Sequence, residues 1–272
     1  MTSSQPLVCV FLKLPPSHQL NSRIHKIAWN VFLPQLDRLN QALEAAWVAH
    51  PSSAAKKIWS EARRSAAEKM NSLLEVAYMN YDTASSFLYF LKGLLIGGGN
   101  SGAYKAVLSS ARRAVRETVM AQEALLNFRE DIRIAVSQIT TLMSSGGNDI
   151  SLFITESSAS MLELATAVEE CHALLEEHLE GLREVKRQRL DANDNQPSEE
   201  EFRMVHEKWQ VLKESSGPEA YRWRALRRQM QKLGDSDEPP VTTPNNQTSP
   251  TMPMDSLRSH KISFWRKLFR RI

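Results

Sequence analysis

Apolar side chains recur along most of this chain at gaps of three and four residues, the spacing that lines them up on one face of an α-helix. Pro15, Pro16 and Ser17 read as a helix start with Ser17 as its cap, and Leu20, Ile24, Ile27 and Val31 follow. Pro34 falls inside this pattern. A proline lacks an N–H and presses on the carbonyl four residues back, so the helix is expected to kink or restart there and continue through Leu36, Leu39, Leu43 and Trp47. His50, Pro51, Ser52 and Ser53 make the first turn.

Beyond that turn the pattern is very regular. Ala66, Met70, Leu73, Ala77, Asn80, Ala84, Phe87, Leu91 and Leu94 alternate gaps of four and three, as a helix seam does, and predict one helix over about residues 54–96. At 1.5 Å per residue it is about 60 Å long. Gly97, Gly98, Gly99 and Gly102 act as the hinge that stops it, because glycine carries a high helix cost and tolerates the backbone angles of a turn. The next stripe is Val107, Ala111, Ala114, Thr118, Ala121, Leu125, Phe128, Ile132, Val136, Ile139 and Met143, closed by a second turn at 144–149 that contains Gly146 and Gly147. A third long helix carries Ile150, Ile154, Ser157, Met161, Leu164, Val168, Cys171, Leu175, His178, Leu182 and Val185 and is expected to end near 191–195.

Long helices joined by turns this short must run antiparallel to their neighbours. The expected fold is therefore all-α: an elongated antiparallel bundle of long helices with short glycine turns over 18–192, preceded by an N-terminal segment, 1–17. Ser198 followed by Glu201 is a capping box opening a helix with Phe202, Val205, Trp209 and Leu212 on one face. Gly217 and Pro218 break it and a basic helix follows, so 198–234 read as accessory helices. Pro239, Pro240, Pro244, Pro250 and Pro253, set among Asn, Thr and Ser, predict a disordered tether over 235–254. Residues 255–272 then read as a basic amphipathic helix.

Composition narrows the class. Ten glycines and two cysteines in 272 residues exclude collagen-like and disulfide-scaffold chains. No uninterrupted apolar run approaches the roughly 18 residues that suggest a membrane span. Residues 7–14 are too short for a conventional signal peptide, which leads to an expectation of cytoplasmic location and of an unused sequon at Asn246. The net charge of +3 is unevenly placed: 255–272 hold six Lys and Arg against Asp255, which leaves the rest of the chain at −2.

No motif names a reaction, so a non-enzymatic protein is expected, without cofactor, metal or small-molecule substrate. The glycine turn lacks a following Lys-Ser/Thr and comes after a helix, not a strand, unlike a phosphate-binding loop. Glu169 and His172 stand in the Glu-x-x-His relation of di-iron bundles, which raises a metal-binding bundle enzyme as one alternative. The second copy that such a site needs is missing. With Glu176 and Glu180, these residues lie opposite the Val168, Cys171 and Leu175 seam, as on a solvated acidic face. Asn80 and His178 sit inside seams, Asn80 as a register-fixing residue and His178 as one that tunes packing or pH response.

Two segments carry the functional expectation. In 255–272, Leu257, Ile262, Trp265, Leu268, Phe269 and Ile272 gather on one helical face, ringed by Arg258, Lys261, Arg266, Lys267, Arg270 and Arg271. That pattern fits peripheral attachment to an anionic membrane surface, and it also fits a helix-binding protein groove or self-association. The other segment is the hairpin tip, where Phe87, Leu88, Phe90, Leu91, Leu94, Leu95 and Ile96 cover the helix all round beside the glycine hinge. At the level of fold this resembles the α-helical pore-forming toxins, and the resemblance implies membrane insertion by the tip as a second alternative. Arg222, Arg224, Arg227, Arg228 and Lys232 form a further basic patch, but no nucleic-acid fold accompanies it, and an acidic surface such as 176–180 or solvent is its expected neighbour.

Overall fold

The computed structural model describes residues 9–10, 15–16, 18–95, 101–145, 150–186, 190–191, 198–217 and 221–235. They belong to one compact unit, Met1–Asp237. The second unit, Glu238–Ile272, which holds most of the expected tether and the whole basic segment, lies outside the described residues.

The fold is all-α. In chain order the helices are α1 (His18–Ile27), a π-helix (Ala28–Phe32), α2 (Leu33–Ala49), α3 (Ser53–Leu95), α4 (Ser101–Ser144), α5 (Ser151–Lys186), α6 (Glu199–Ser216) and α7 (Tyr221–Asp235). The π-helix answers the expectation at Pro34. The helix widens one turn ahead of the proline, where the Asn30 carbonyl loses its usual donor, and then restarts with Pro34 in the first turn of α2. The wider turn also seats Phe32 in the core, 5.2 Å from the Phe128 ring of α4.

Contacts between helices fix their directions. Along α3 and α4, Asp82 pairs with Arg113 at 2.7 Å and Lys69 with Asp131, so residue numbers rise on one helix as they fall on the other. The same holds between α4 and α5, where Gln122 donates to Glu176 at 3.0 Å and Arg129 lies 3.6 Å from Glu169. Arg23 of α1 meets Glu170 of α5 at 3.1 Å, and Arg38 of α2 meets Glu163 at 3.6 Å. Buried Ala77 and Ala84 on α3 and Ala111, Ala114 and Ala121 on α4 leave no bulk between these two helices, which allows their backbones to approach closely.

After α6 the chain breaks at Gly217 and continues as α7, both helices packing along α3. Ser215 near the end of α6 offers its carbonyl to Arg222 Nη2 at 2.5 Å and to Trp223 Nε1 at 3.1 Å, satisfying a helix-end acceptor from inside the next helix. At the start of α6 the capping box is complete: Glu201 N–H donates to Ser198 Oγ at 3.2 Å and Ser198 N–H donates to Glu201 Oε2 at 2.9 Å.

Buried side chains form two apolar clusters. One spans α1 to α5 and α7 with Phe32, Met70, Leu125, Ile132 and Leu175 among its members. The other joins α3, α4, α5 and α6 around Phe87, Leu91, Val107 and Trp209. In sequence, Asn80 falls between the clusters on α3, Thr118 on α4 and His178 on α5. A hydrogen-bond chain crosses the interior at this level. His178 Nε2 donates to Asn80 Oδ1 at 2.7 Å, Asn80 Nδ2 donates to Asn21 Oδ1 at 3.1 Å, and Asn21 Nδ2 donates to Ser216 Oγ at 2.7 Å. All four residues are buried, one from each of α5, α3, α1 and α6.

The seams agree closely with the expected stripes, with two exceptions. Ile154 is 42% exposed and Phe153 is buried in its place, because the burial step from Ile150 is three residues and not four. The third long helix ends at Lys186, short of 191–195, and Leu190–Asp191 instead pairs antiparallel with Cys9–Val10.

Burial lowers the His178 pKa to about 4, against an ordinary value of 6.5. Between those two pH values the unfolded chain takes up a proton that the folded chain refuses. Stability from this group is therefore full above about pH 6.5 and is lost as pH falls toward 4, by at most about 3 kcal/mol. Urea unfolding followed from about pH 7 to about pH 4.5 should show this loss, and a His178→Gln variant should show a shallower pH dependence over the same range.

Candidate functional site

The hairpin tip is built from the end of α3, the start of α4 and the apolar face of α6. Phe87, Phe90 and Leu91 are buried, Leu88 and Leu94 are half-buried, and Leu95 is 69% exposed; Ile96 lies outside the described residues. The cover is α6. Trp209, itself fully buried, stacks on Phe87 with centroids 4.2 Å apart and planes 18° from parallel, while Phe90 lies 5.5 Å from Tyr104 of α4. The all-round apolar girth seen in the sequence thus has a physical reason within this fold: one side faces α4 and another faces α6. Gly102 lies in the first turn of α4, and Gly97, Gly98 and Gly99 lie outside the described residues.

The acidic face of α5 is held by ion pairs. Glu169 reaches Arg129 of α4, Glu170 reaches Arg23 of α1, and Glu176 accepts from Gln122 and lies 3.6 Å from Arg183. Among the described residues, no three His, Cys, Asp or Glu side chains gather as a metal site would require. Cys171 is buried in the α5 seam, where burial and the Glu170 charge push its thiol up to about 12, far from the thiolate form.

In the second basic patch, Arg224, Arg227, Arg228 and Lys232 are exposed, as the solvent alternative expects, while Arg222 and the neighbouring Trp223 turn inward. Arg222 is bound to Ser215, and Trp223 is buried with its ring 5.2 Å from His25 in an edge contact. His25 Nε2 donates to the Arg222 carbonyl at 3.0 Å and its pKa is lowered, chiefly by burial. This part of the patch therefore joins α1 to α7. Arg258, Lys261, Ile262, Trp265, Arg266, Lys267, Leu268, Phe269, Arg270 and Arg271 lie outside the described residues.

No family model, curated protein or solved structure matches this chain. Its chemistry has to be read from its own residues. Beyond the expected positions, the structure adds the Asn21 and Ser216 members of the buried polar chain and a cleft between α2 and α3. The signal for that cleft was the occurrence of Trp47 and Trp59 on opposite sides of the first turn, with Asn40 two turns before Trp47 on the same helix face.

Because Trp209 closes the tip, a Trp209→Ala variant should lose about 3–5 kcal/mol of stability. It should also bind more of a dye that reports exposed apolar surface, measured at a temperature where the variant is still folded; unchanged stability would show that α6 is not the cover.

Proposed function

We propose that this chain is a non-enzymatic interaction protein whose elongated antiparallel bundle is held at an anionic membrane surface by the amphipathic segment 255–272. The observation that carries the reading is the charge division in the sequence: six Lys and Arg surround one apolar face in 255–272, on a chain whose remainder is net negative. Each basic residue near an anionic leaflet contributes about 1 kcal/mol, and Trp265 and Phe269 are of the types that prefer the interface. Insertion of Ile262, Leu268 and the two aromatic residues supplies the additional term. Attachment of this kind is peripheral, in keeping with the absence among the described residues of any helix long and apolar enough to cross a membrane.

Membrane insertion by the tip asks for more. Phe87 and Leu91 would have to leave Trp209 and the rest of α6 before they could meet lipid. Surface attachment leaves that cover in place.

Sedimentation of the full chain with vesicles tests the proposal. Binding is expected with vesicles rich in phosphatidylserine, weak with neutral phosphatidylcholine vesicles, and reduced by salt. A full-length Trp265→Ser, Phe269→Ser double variant should bind at least tenfold more weakly. Equal sedimentation of the native and variant proteins would contradict the assignment, and binding to a protein partner without vesicles would favour a helix-binding groove instead.

A further inference from the structure

The outward face of α5 changes character along its length. From Glu169 onward it is charged, with Glu169, Glu170, Glu176 and Glu180 all exposed. From Ser151 to Val168 the helix has no Lys or Arg, and its carboxylates are Glu156 and Glu163. Glu163 is held toward α2 by Gln35 and Arg38, and Glu156, two turns earlier, stands on the same edge.

What this half of α5 turns to solvent is a second stripe, Leu152, Thr155, Ala159 and Leu162, opposite the buried seam of the same helix. Leu152 is 63% exposed and Leu162 is 71% exposed. A helix face left to water ordinarily carries charge, whereas this one has the gaps of three and four of a seam that lacks its partner.

The flanking helices extend the same surface. α2 and α4 border α5 through the pairs Arg38 with Glu163 and Arg129 with Glu169. Ala45, two turns beyond Arg38, is exposed, and Val48 beside it is 79% exposed. On α4, Thr140 is half-buried and Ser144 is exposed, and both follow Arg129 at helical spacing. No charged residue occurs in 45–49 or in 134–144.

The α5 stripe reads the same in both directions. Leucines stand at its ends, small residues between them, and the gaps run three, four and three. Turned end for end against a second copy, Leu152 meets Leu162 and Thr155 meets Ala159, so large side chains meet at the ends and the small centre lets the backbones approach. Charge permits this pairing. A contact between identical faces sets every charge near its own sign, and on this stripe only Glu156 is brought near its counterpart, at the edge. The lack of Lys and Arg disfavours an anionic lipid surface as the occupant.

We propose that this face pairs with a second copy of the chain, the two α5 helices lying antiparallel about a two-fold axis level with Ser157. The face is about 20 Å long and three helices wide, with axes about 8–10 Å apart, which amounts to roughly 500 Å². A standard stable interface takes about 800 Å² from each partner, so the dimer forms reversibly, in the micromolar range. This pairing is independent of the membrane reading, which concerns a different part of the chain.

Sedimentation velocity of the full chain without lipid, from about 1 μM to about 200 μM, tests it. A concentration-dependent shift from monomer to dimer is expected. Leu162→Glu should weaken the dimer about tenfold or more while leaving the melting curve unchanged, since Leu162 is exposed. Adding Leu152→Lys to the same chain should restore most of the loss, because the antiparallel pairing sets each new lysine against a new glutamate. Glu156→Gln, which removes the like charges at the edge, should tighten the dimer severalfold. A chain that stays monomeric throughout, a dimer indifferent to Leu162→Glu, or a double variant no stronger than Leu162→Glu alone would each overturn the proposal.

Discussion

A single chain of hydrogen bonds, from His178 through Asn80 and Asn21 to Ser216, sets the arrangement of the rest of the bundle. Four helices contribute one polar side chain each at the same level, and each of those side chains is buried. Apolar seams of Ala and Leu are tolerant of sliding, since a shift by one turn replaces one small apolar contact with another. A buried amide has no such freedom: displaced by one turn it loses its partner and keeps its desolvation cost. The polar layer therefore fixes the register that the apolar seams alone would leave degenerate, as buried Asn does in coiled coils.

The donors along this chain all point one way, which requires the Nε2–H tautomer of His178 and leaves its Nδ1 without a partner. Protonation at Nδ1 would place a charge and an unmatched donor in the interior together, and this is the physical source of the lowered pKa. On one side of the layer, the first apolar cluster extends through α2, α4 and α7. On the other, α6 closes the tip through Trp209 on Phe87. Ser216 stands at the end of α6, so the same hydrogen-bond chain that aligns α1, α3 and α5 also anchors the helix that covers the tip.

The helices were legible in the sequence because their apolar residues recur at gaps of three and four over ten turns or more, and local spacing alone carries that information. Asn80 and His178 were recognisable as polar members of apolar seams. Their partners were not, because Asn21 and Ser216 are 195 residues apart and meet only once the helices pack. Ile154 was misplaced because the stripe begins with a different phase at the α5 start, and the end of α5 was overrun because Leu190–Asp191 is held by pairing with Cys9–Val10, a contact no local pattern encodes. The apolar girth at the tip was visible from composition, but its cover by α6 depended on a helix more than a hundred residues later. The α2–α3 cleft is where two consecutive helices choose different neighbours, which the spacing within either helix does not specify.

A double-mutant cycle at Asn80 and His178 tests the register role of the polar layer most directly, with Asn80→Ala, His178→Ala and the pair compared by urea unfolding at neutral pH. The hydrogen-bonded layer predicts non-additivity of about 1 kcal/mol or more, the double variant losing less than the two single losses together. Additivity within about 0.3–0.5 kcal/mol would show that the two residues act independently and would contradict the account.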